Sequence, residues 1–295
     1  SNVVNASLET LVVTALRSEE KIKDVPARIS IIEPQIIEQS PIAALPDLLM
    51  TDAAINMVQS GGYGQTASIF LRGTNSNQTL ILRDGVRLNS ATTGTASLPF
   101  IDTTDIQQIE VLKGPASVLY GTDAIGGVVQ LVSKTPEKNS AFVTGEIGEN
   151  STYKTLVGAD LAENGFYAQI RGQHLETDGT PVKDSKNAPD AAFDQTGYSA
   201  KFGVEKEKYA LSLDYSENEG NSQYDNYGAV ANQDFKNEIV NIKGRVNLAP
   251  SVEVNARVSQ FKDDIDQNDL NYLGTYDFVH STTQEAELYG KWQFT

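Results

Sequence analysis

His174 and His280 are the only histidines in the chain, and cysteine is absent. A thiol nucleophile, a Cys-ligated zinc site and a disulfide framework are therefore excluded. No G-x-S-x-G elbow occurs, so a barrel hydrolase would have only two imidazole bases and no recognisable nucleophile turn. Carboxylates are the abundant chemistry. Segment 263–280 carries Asp263, Asp264, Asp266, Asp269 and Asp277 with no Lys or Arg, and segment 176–195 carries Glu176, Asp178, Asp184, Asp190 and Asp194. Clustered carboxylates repel unless a hard cation such as Ca²⁺ bridges them with oxygen ligands, or unless they form a solvated acidic surface. EF-hand spacing is absent, so ligands would have to converge from separate loops. Gly61-Gly62-Tyr63-Gly64 has the small residues of a phosphate loop but lacks its strand-to-helix context and downstream partner.

The charge balance narrows the partners. With 39 acids against 23 bases, the formal net charge is −16. That argues against wrapping nucleic acid, because phosphate contacts need clustered Lys and Arg. At 39% apolar residues the chain is too hydrophobic for a disordered tail. No apolar run approaches the ~18 residues of a transmembrane helix. Transmembrane strands remain open, since they alternate and leave hydropathy near neutral. No signal peptide heads the chain, which reads as beginning at a mature N-terminus.

The elements that must position these groups change character near Pro136. Up to about Thr135 the sequence reads as a compact α/β domain, with strands expected at Ile29–Ile32, Ile69–Leu71, Leu80–Leu82, Ile109–Leu112 and Val128–Val132. Helices are expected to begin near Pro34 and Pro41, because proline suits the first helical position. Asp84-Gly85 is a tight-turn signal. After Pro136 the chain alternates with period two. Phe166, Ala168 and Ile170 interleave with Gln169, Arg171 and Gln173, and five further stretches from Tyr198 to Phe294 behave alike. With 141–149 and 153–162 this predicts about eight strands, each near the length that spans a bilayer. His174 continues the parity of Phe166 and Ile170, so it is expected on the apolar face.

Tight connections are expected at Glu163–Asn164, Lys206–Lys208 and Ala249–Ser251, and long ones at 176–195, 219–236 and 263–280. Short and long connections in alternation fit an outer-membrane meander. A soluble sandwich also alternates and is the competing reading.

Four stretches then carry a family signature. They are Glu9-Thr10-Leu11-Val12-Val13-Thr14-Ala15, Gly61 through Gly73, Leu82 through Asn89, and Ile109 through Gly121 running into Asp123–Val129. In this order they resemble the plug domain of a TonB-dependent outer-membrane receptor, with cobalamin receptors the most similar branch. The resemblance implies an α+β plug domain followed by antiparallel transmembrane β-barrel strands: residues 1–20 an N-terminal segment with a TonB box, 21–135 the plug, 136–295 the first part of the barrel. Barrels with a plugged lumen have about 22 strands. The chain is thus expected to be truncated, holding a plug and roughly a third of a barrel.

The same resemblance assigns residues. Glu9, Thr10, Leu11, Val12, Val13, Thr14 and Ala15 would be gripped by the TonB energy-coupling protein, and a short β-prone segment can add to a partner's sheet edge. Gln65, Thr66, Asn89, Thr92, Thr93 and Ser97 on apex loops of the plug, with Tyr224 and Tyr227, would contact ligand. Arg72, Arg83, Arg87, Glu110 and Lys113 would make polar plug–barrel contacts, and Lys113 stands where the family typically carries Arg. Asp178, Asp194 and Asp225 match acidic positions that would bind Ca²⁺, while Thr196 stands where a further Asp is expected. The implied function is TonB-dependent uptake of a large scarce nutrient, cobalamin above a ferric siderophore or haem, across a bacterial outer membrane. A passive or adhesive surface barrel is the alternative of a different class, and no enzymatic role is expected.

Overall fold

Leu80-Ile81-Leu82-Arg83 carries no polar alternation, which is the pattern of a strand covered on both faces. The computed structural model describes residues 11–12, 20–21, 28–39, 44–49, 55–59, 67–71, 79–90, 94–113, 127–179, 191–226, 229–269 and 275–293. It divides into two compact units, Ser1–Lys134 and Thr135–Thr295.

In the first unit the elements are β1 (Leu11–Val12), β2 (Glu20–Lys21), β3 (Arg28–Ile32), α1 (Pro34–Glu38), α2 (Leu45–Leu49), β4 (Ile55–Gln59), β5 (Ala67–Leu71), β6 (Leu80–Arg83), β7 (Val86–Arg87), β8 (Ile106–Lys113) and β9 (Val128–Ser133). Five of them form one sheet in the order β3-β8-β9-β6-β7. Within that sheet only the β6–β9 pairing is parallel. Leu80, Leu82, Leu112 and Val128 form a cluster on this sheet, with Ile29 packed against it. Each such side chain, fully buried, contributes roughly 1.5–3 kcal/mol.

Helix α1 begins at Pro34 as its sequence predicts. The second helix does not begin near Pro41. It starts at Leu45, with Pro46 in its first turn, and the Asp47 carboxylate accepts the Ala44 N–H at 3.2 Å. That carboxylate satisfies a donor the first turn leaves orphaned, so the stop-start signal lies in Ala44–Asp47 rather than at the earlier proline. Leu45, Leu48 and Leu49 are buried, the one-face spacing of a short amphipathic helix. Strand β5 contains the expected Ile69–Leu71, while its partner β4 and the two-residue β1–β2 pairing were not expected.

The second unit is a single antiparallel meander. Its strands are β10 (Ser140–Ile147), β11 (Tyr153–Glu163), β12 (Phe166–Thr177), β13 (Phe193–Glu205), β14 (Tyr209–Asn226), β15 (Ala229–Ala249), β16 (Val252–Asp269) and β17 (Thr275–Trp292), hydrogen-bonded in chain order. The first tight turn is centred one residue later than predicted, on Asn164-Gly165, with φ of 52° and 81°. Two successive positive φ values match the right-handed twist of the strands they join, and Asn-Gly is the pair that tolerates them.

Two of the expected long connections are largely strand. Segment 219–236 is consumed by β14 and β15, which pair from Tyr209↔Val246 to Asn226↔Ala229. Segment 263–280 is likewise mostly β16 and β17, paired out to Asp269↔Thr275. Polar residues on both faces there erase the alternation while the backbone ladder continues, because a strand is held by its neighbour's N–H and C=O groups whatever its side chains.

The faces of this sheet settle its environment. In β12, Gln169, Arg171, Gln173 and Thr177 are buried while Phe166 and Ile170 are exposed. The same inversion runs through the meander: Lys201, Asp214, Asn241 and Arg257 are buried, while Phe202, Leu213, Ile242 and Leu288 are exposed. A soluble sandwich buries the apolar face, so that reading fails; a transmembrane barrel turns the apolar face to lipid and the polar face to its lumen. On the sheltered face charges are paired. Arg171 reaches Asp160 at 2.7 Å, and Arg257 reaches Glu285 at 3.2 Å and Glu287 at 3.4 Å.

The apolar band has an inclined edge. On β13 it ends at Tyr198 and on β17 at Ala286, above which Gln284 begins the polar part. The register leads from Tyr198 through Glu217, Glu238 and Lys262 to Thr282, so the edge at Ala286 lies four residues from that row after four strand steps. With a ~3.4 Å rise per residue and ~4.8 Å between strands, that is an incline of roughly 35°. Barrel strands tilt by ~35–45° to the membrane normal, so an edge parallel to the membrane must cut the register at that angle.

Candidate functional site

The site region of the first unit is built on the β6–β7 hairpin. Asp84 (φ 47°) and Gly85 (φ 88°) make its turn, and Asp84 is then tied across the sheet, its carboxylate accepting the Ser133 N–H at 3.0 Å. Behind the turn, Arg83 donates through Nη1 to Asp105 Oδ1 at 2.8 Å and through Nη2 to Oδ2. Both side chains are nearly inaccessible, at 4% and 6%. Arg83, expected from its type to serve a plug–barrel contact, thus makes a buried bidentate pair inside the first unit. Glu110 is fully buried, and its carboxylate accepts from Gln108 Nε2 at 2.9 Å. Arg87 is half-buried on β7. Arg72 and the Lys113 side chain lie outside the described residues.

Beyond β7 the hairpin opens into the polar loop that the sequence marks for ligand. Leu88 N–H still donates to Ile81 O at 2.9 Å, continuing the ladder by one rung. The return bond from the Ile81 N–H is made to a side chain instead of the Leu88 carbonyl. Asn89 Oδ1 accepts the Ile81 N–H at 2.8 Å, and Asn89 Nδ2 donates to Thr79 O and Gly94 O, both at 3.1 Å. Both amide hydrogens of Asn89 are therefore committed within the domain, although its type suggested a ligand contact. Ser97 precedes a short 3-10 turn, Leu98–Phe100, and its carbonyl accepts the Phe100 N–H at 3.0 Å. Gln65, Thr66, Thr92, Thr93 and Tyr227 lie outside the described residues. Tyr224 is half-buried on β14, opposite Ala231.

Leu11-Val12 is a strand, as its β-prone composition predicts. It is already paired with Glu20–Lys21, Leu11 opposite Lys21 and Val12 opposite Glu20. Glu9, Thr10, Val13, Thr14 and Ala15 lie outside the described residues.

In the second unit, polar groups gather above the apolar band on the exposed face. One register row runs His174, Thr196, Glu219, Lys236, Asp264, His280. His174 does share the face of Phe166 and Ile170. Its ring contacts Thr196 Oγ1 at 2.7 Å through Nδ1 and Glu176 Oε1 at 2.8 Å through Nε2, which fixes a neutral ring as the Nε2–H tautomer. Glu176 is held below the usual carboxylate range, first by the His174 hydrogen bond and then by the Tyr153 hydroxyl.

Glu176 sits opposite Asp194, bringing two carboxylates side by side across β12 and β13. Asp178 lies just beyond, where its N–H donates to Asn150 O at 3.0 Å. The Asp225 side chain lies outside the described residues. Among the described residues no three acidic or imidazole side chains converge on a common point. Carboxylate oxygens are the donor type a hard cation takes.

The comparisons with known proteins decide the family. Residues 21–128 match the TonB-dependent Receptor Plug Domain. The vitamin B12 transporter BtuB of Vibrio vulnificus (strain CMCP6) is 36% identical over 197 residues, covering 66% of this chain and 32% of that protein. The vitamin B12 transporter BtuB of Photobacterium profundum is 34% identical over 233 residues, covering 76% of this chain and 38% of that protein.

The chain belongs to the TonB-dependent receptors.

It spans about a third of the length of these curated relatives. Among solved structures, the copper transporter OprC superposes with a TM-score of 0.75 over 90% of this chain and 43% of its own, at 18% identity. The ferric preacinetobactin receptor BauA of Acinetobacter baumannii gives 0.73 over 97% and 46%, at 16% identity. At such identities these two establish fold alone. The fold is the plug of a TonB-dependent receptor joined to the leading strands of its transmembrane barrel.

Proposed function

We propose that this chain is the plug and leading barrel of a receptor that carries cobalamin across a bacterial outer membrane, driven by a TonB-type energy-coupling protein. One observation carries the substrate. Over 123 residues the chain is 48% identical to the vitamin B12 transporter BtuB of Vibrio vulnificus (strain YJ016), far above its likeness to the copper and siderophore proteins of the same fold. The stretch with apex-loop residues is where a large ligand would be met by several weak hydrogen bonds. Ligand engagement would favour one plug state, and the partner would then seize the segment Glu9–Ala15. That is a coupling between two sites and needs differential affinity for the two states.

Strand addition gives the partner its grip. Val12 and Leu11 offer backbone hydrogen bonds to a sheet edge. The pairing with Glu20–Lys21 occupies one edge of that strand, so the partner adds to the other edge or displaces β2. Calcium would act as a bridge among Asp178, Asp194 and Asp225, offsetting repulsion that otherwise spreads the acidic strand tips.

The test is a titration of the full-length receptor with cyanocobalamin and with ferric siderophores, each with and without Ca²⁺. Tight cyanocobalamin binding that strengthens with Ca²⁺ is expected. Tight siderophore binding with no cyanocobalamin binding would overturn the substrate, and calcium-independent affinity would overturn the metal.

A further inference from the structure

We propose that Asn89 is a positioning residue, a side-chain latch that ties the two ends of the 90–95 loop, at Ser90 and at Gly94–Thr95, to the sheet edge. The inference rests on the reading of that loop as a ligand contact and says how the contact is prepared.

Backbone hydrogen bonding creates the need for such a latch. In β6 the N–H and C=O of Ile81 point toward β7, and Ile81 O takes the Leu88 N–H. The Ile81 N–H would be orphaned where the main chain swings away after Leu88, in a strand where Ile81 is 1% exposed. An unpaired buried N–H is costly, so a partner must be supplied. The Asn89 amide supplies it. Its Oδ1 meets Ile81 N–H and its Nδ2 meets Thr79 O. A primary amide has the donor and acceptor of a peptide group, so Asn89 extends the ladder with its side chain. The opposite amide orientation would set NH₂ against N–H and oxygen against two carbonyls, so the network assigns the orientation.

The second hydrogen of Nδ2 reaches across the loop to Gly94 O. The loop is also closed by Ser90 N–H to Thr95 O at 2.9 Å, Gly94 N–H to Ser90 O at 2.8 Å, and the bridge Asn89↔Ala96. Gly94 has φ of +75°, which an L residue adopts only with strain. A single amide therefore joins the rigid sheet edge at Thr79 and Ile81 to the closing turn of the loop. Thr92 and Thr93 lie between the two ends that it fixes. Pre-ordering those ends removes an entropy cost that ligand binding would otherwise meet.

The variants separate latch from contact. Asn89→Asp is isosteric and keeps the acceptor for Ile81 N–H, yet loses both donations. Asn89→Ala loses all three bonds. The full-length receptor is examined without ligand by hydrogen exchange over residues 79–97. The latch predicts faster exchange in the 90–95 loop in both variants, and faster exchange at Ile81 in Asn89→Ala alone. Cyanocobalamin affinity should fall by about tenfold in each, as expected for lost preorganisation. Thr92→Ala and Thr93→Ala should weaken binding while leaving ligand-free exchange unchanged. Wild-type exchange in the 90–95 loop of either variant would overturn the latch. Failure of the wild-type receptor to bind cyanocobalamin would instead overturn the ligand reading, and the exchange arm would still decide the latch.

Discussion

Arg83 grips Asp105 with two parallel hydrogen bonds in the interior of the plug, one of them 2.8 Å long. The pair fastens the end of β6 to the turn that leads into β8, where Lys134 N–H also donates to Asp105 O at 2.8 Å. With both side chains under a tenth exposed, neither charge can be hydrated if the other is removed. Arg83→Met or Asp105→Asn alone should cost about 3–5 kcal/mol of stability, and replacing both together should cost far less. Chemical denaturation of the single and double variants checks this. Additive losses would show that the two residues act separately.

The exposed apolar band makes a second prediction. Leu213 is 46% exposed within the band, whereas Thr282 lies on the same face beyond its edge. Leu213→Lys should cost about 2–4 kcal/mol when the full-length receptor folds into bilayers, and Thr282→Lys about 0–1 kcal/mol. Equal costs at the two positions would contradict the inclined boundary.

A third prediction concerns pH. Glu176 has its carboxyl lowered by hydrogen bonds from His174 and Tyr153. A depressed folded-state value means the stabilisation is fully present above the unfolded carboxylate range, near pH ~4.3, and is lost as pH falls through the lower folded value. Glu176→Gln should therefore be less stable than wild type at neutral pH, and the gap should close in acid. A gap independent of pH would show that the hydrogen bonds do not favour the ionised carboxylate.

The fold was legible wherever side-chain periodicity and burial coincide. The β10–β17 meander and the β6, β8 and β9 core strands follow directly from alternation or continuous apolar runs. The outer halves of β14 to β17 were not legible, because Asn218, Lys236 and Asp263 put polar groups on both faces while the ladder continues. The second helix was displaced for a local reason, the Asp47 cap on Ala44. At the site, residue type did not reveal the bonds that the structure gives to individual side chains. Asn89 reads as a ligand amide until the strand's backbone accounting shows an N–H that needs it. The resemblance assigns Arg83 to a plug–barrel contact; its bidentate pairing with Asp105, more than twenty residues along the chain, was not legible because nothing in the local sequence links the two.

If cobalamin uptake is energised through the N-terminal segment, the backbone of that segment must be open to the partner. Val12 is paired by its backbone with Glu20, and proline at that position would remove the N–H that strand addition to a partner requires. The decisive measurement is uptake of labelled cyanocobalamin by cells carrying the full-length receptor with Val12→Pro, alongside binding to the same cells. Binding at the wild-type level with uptake lost is the predicted result. Uptake equal to wild type, with binding intact, would contradict it.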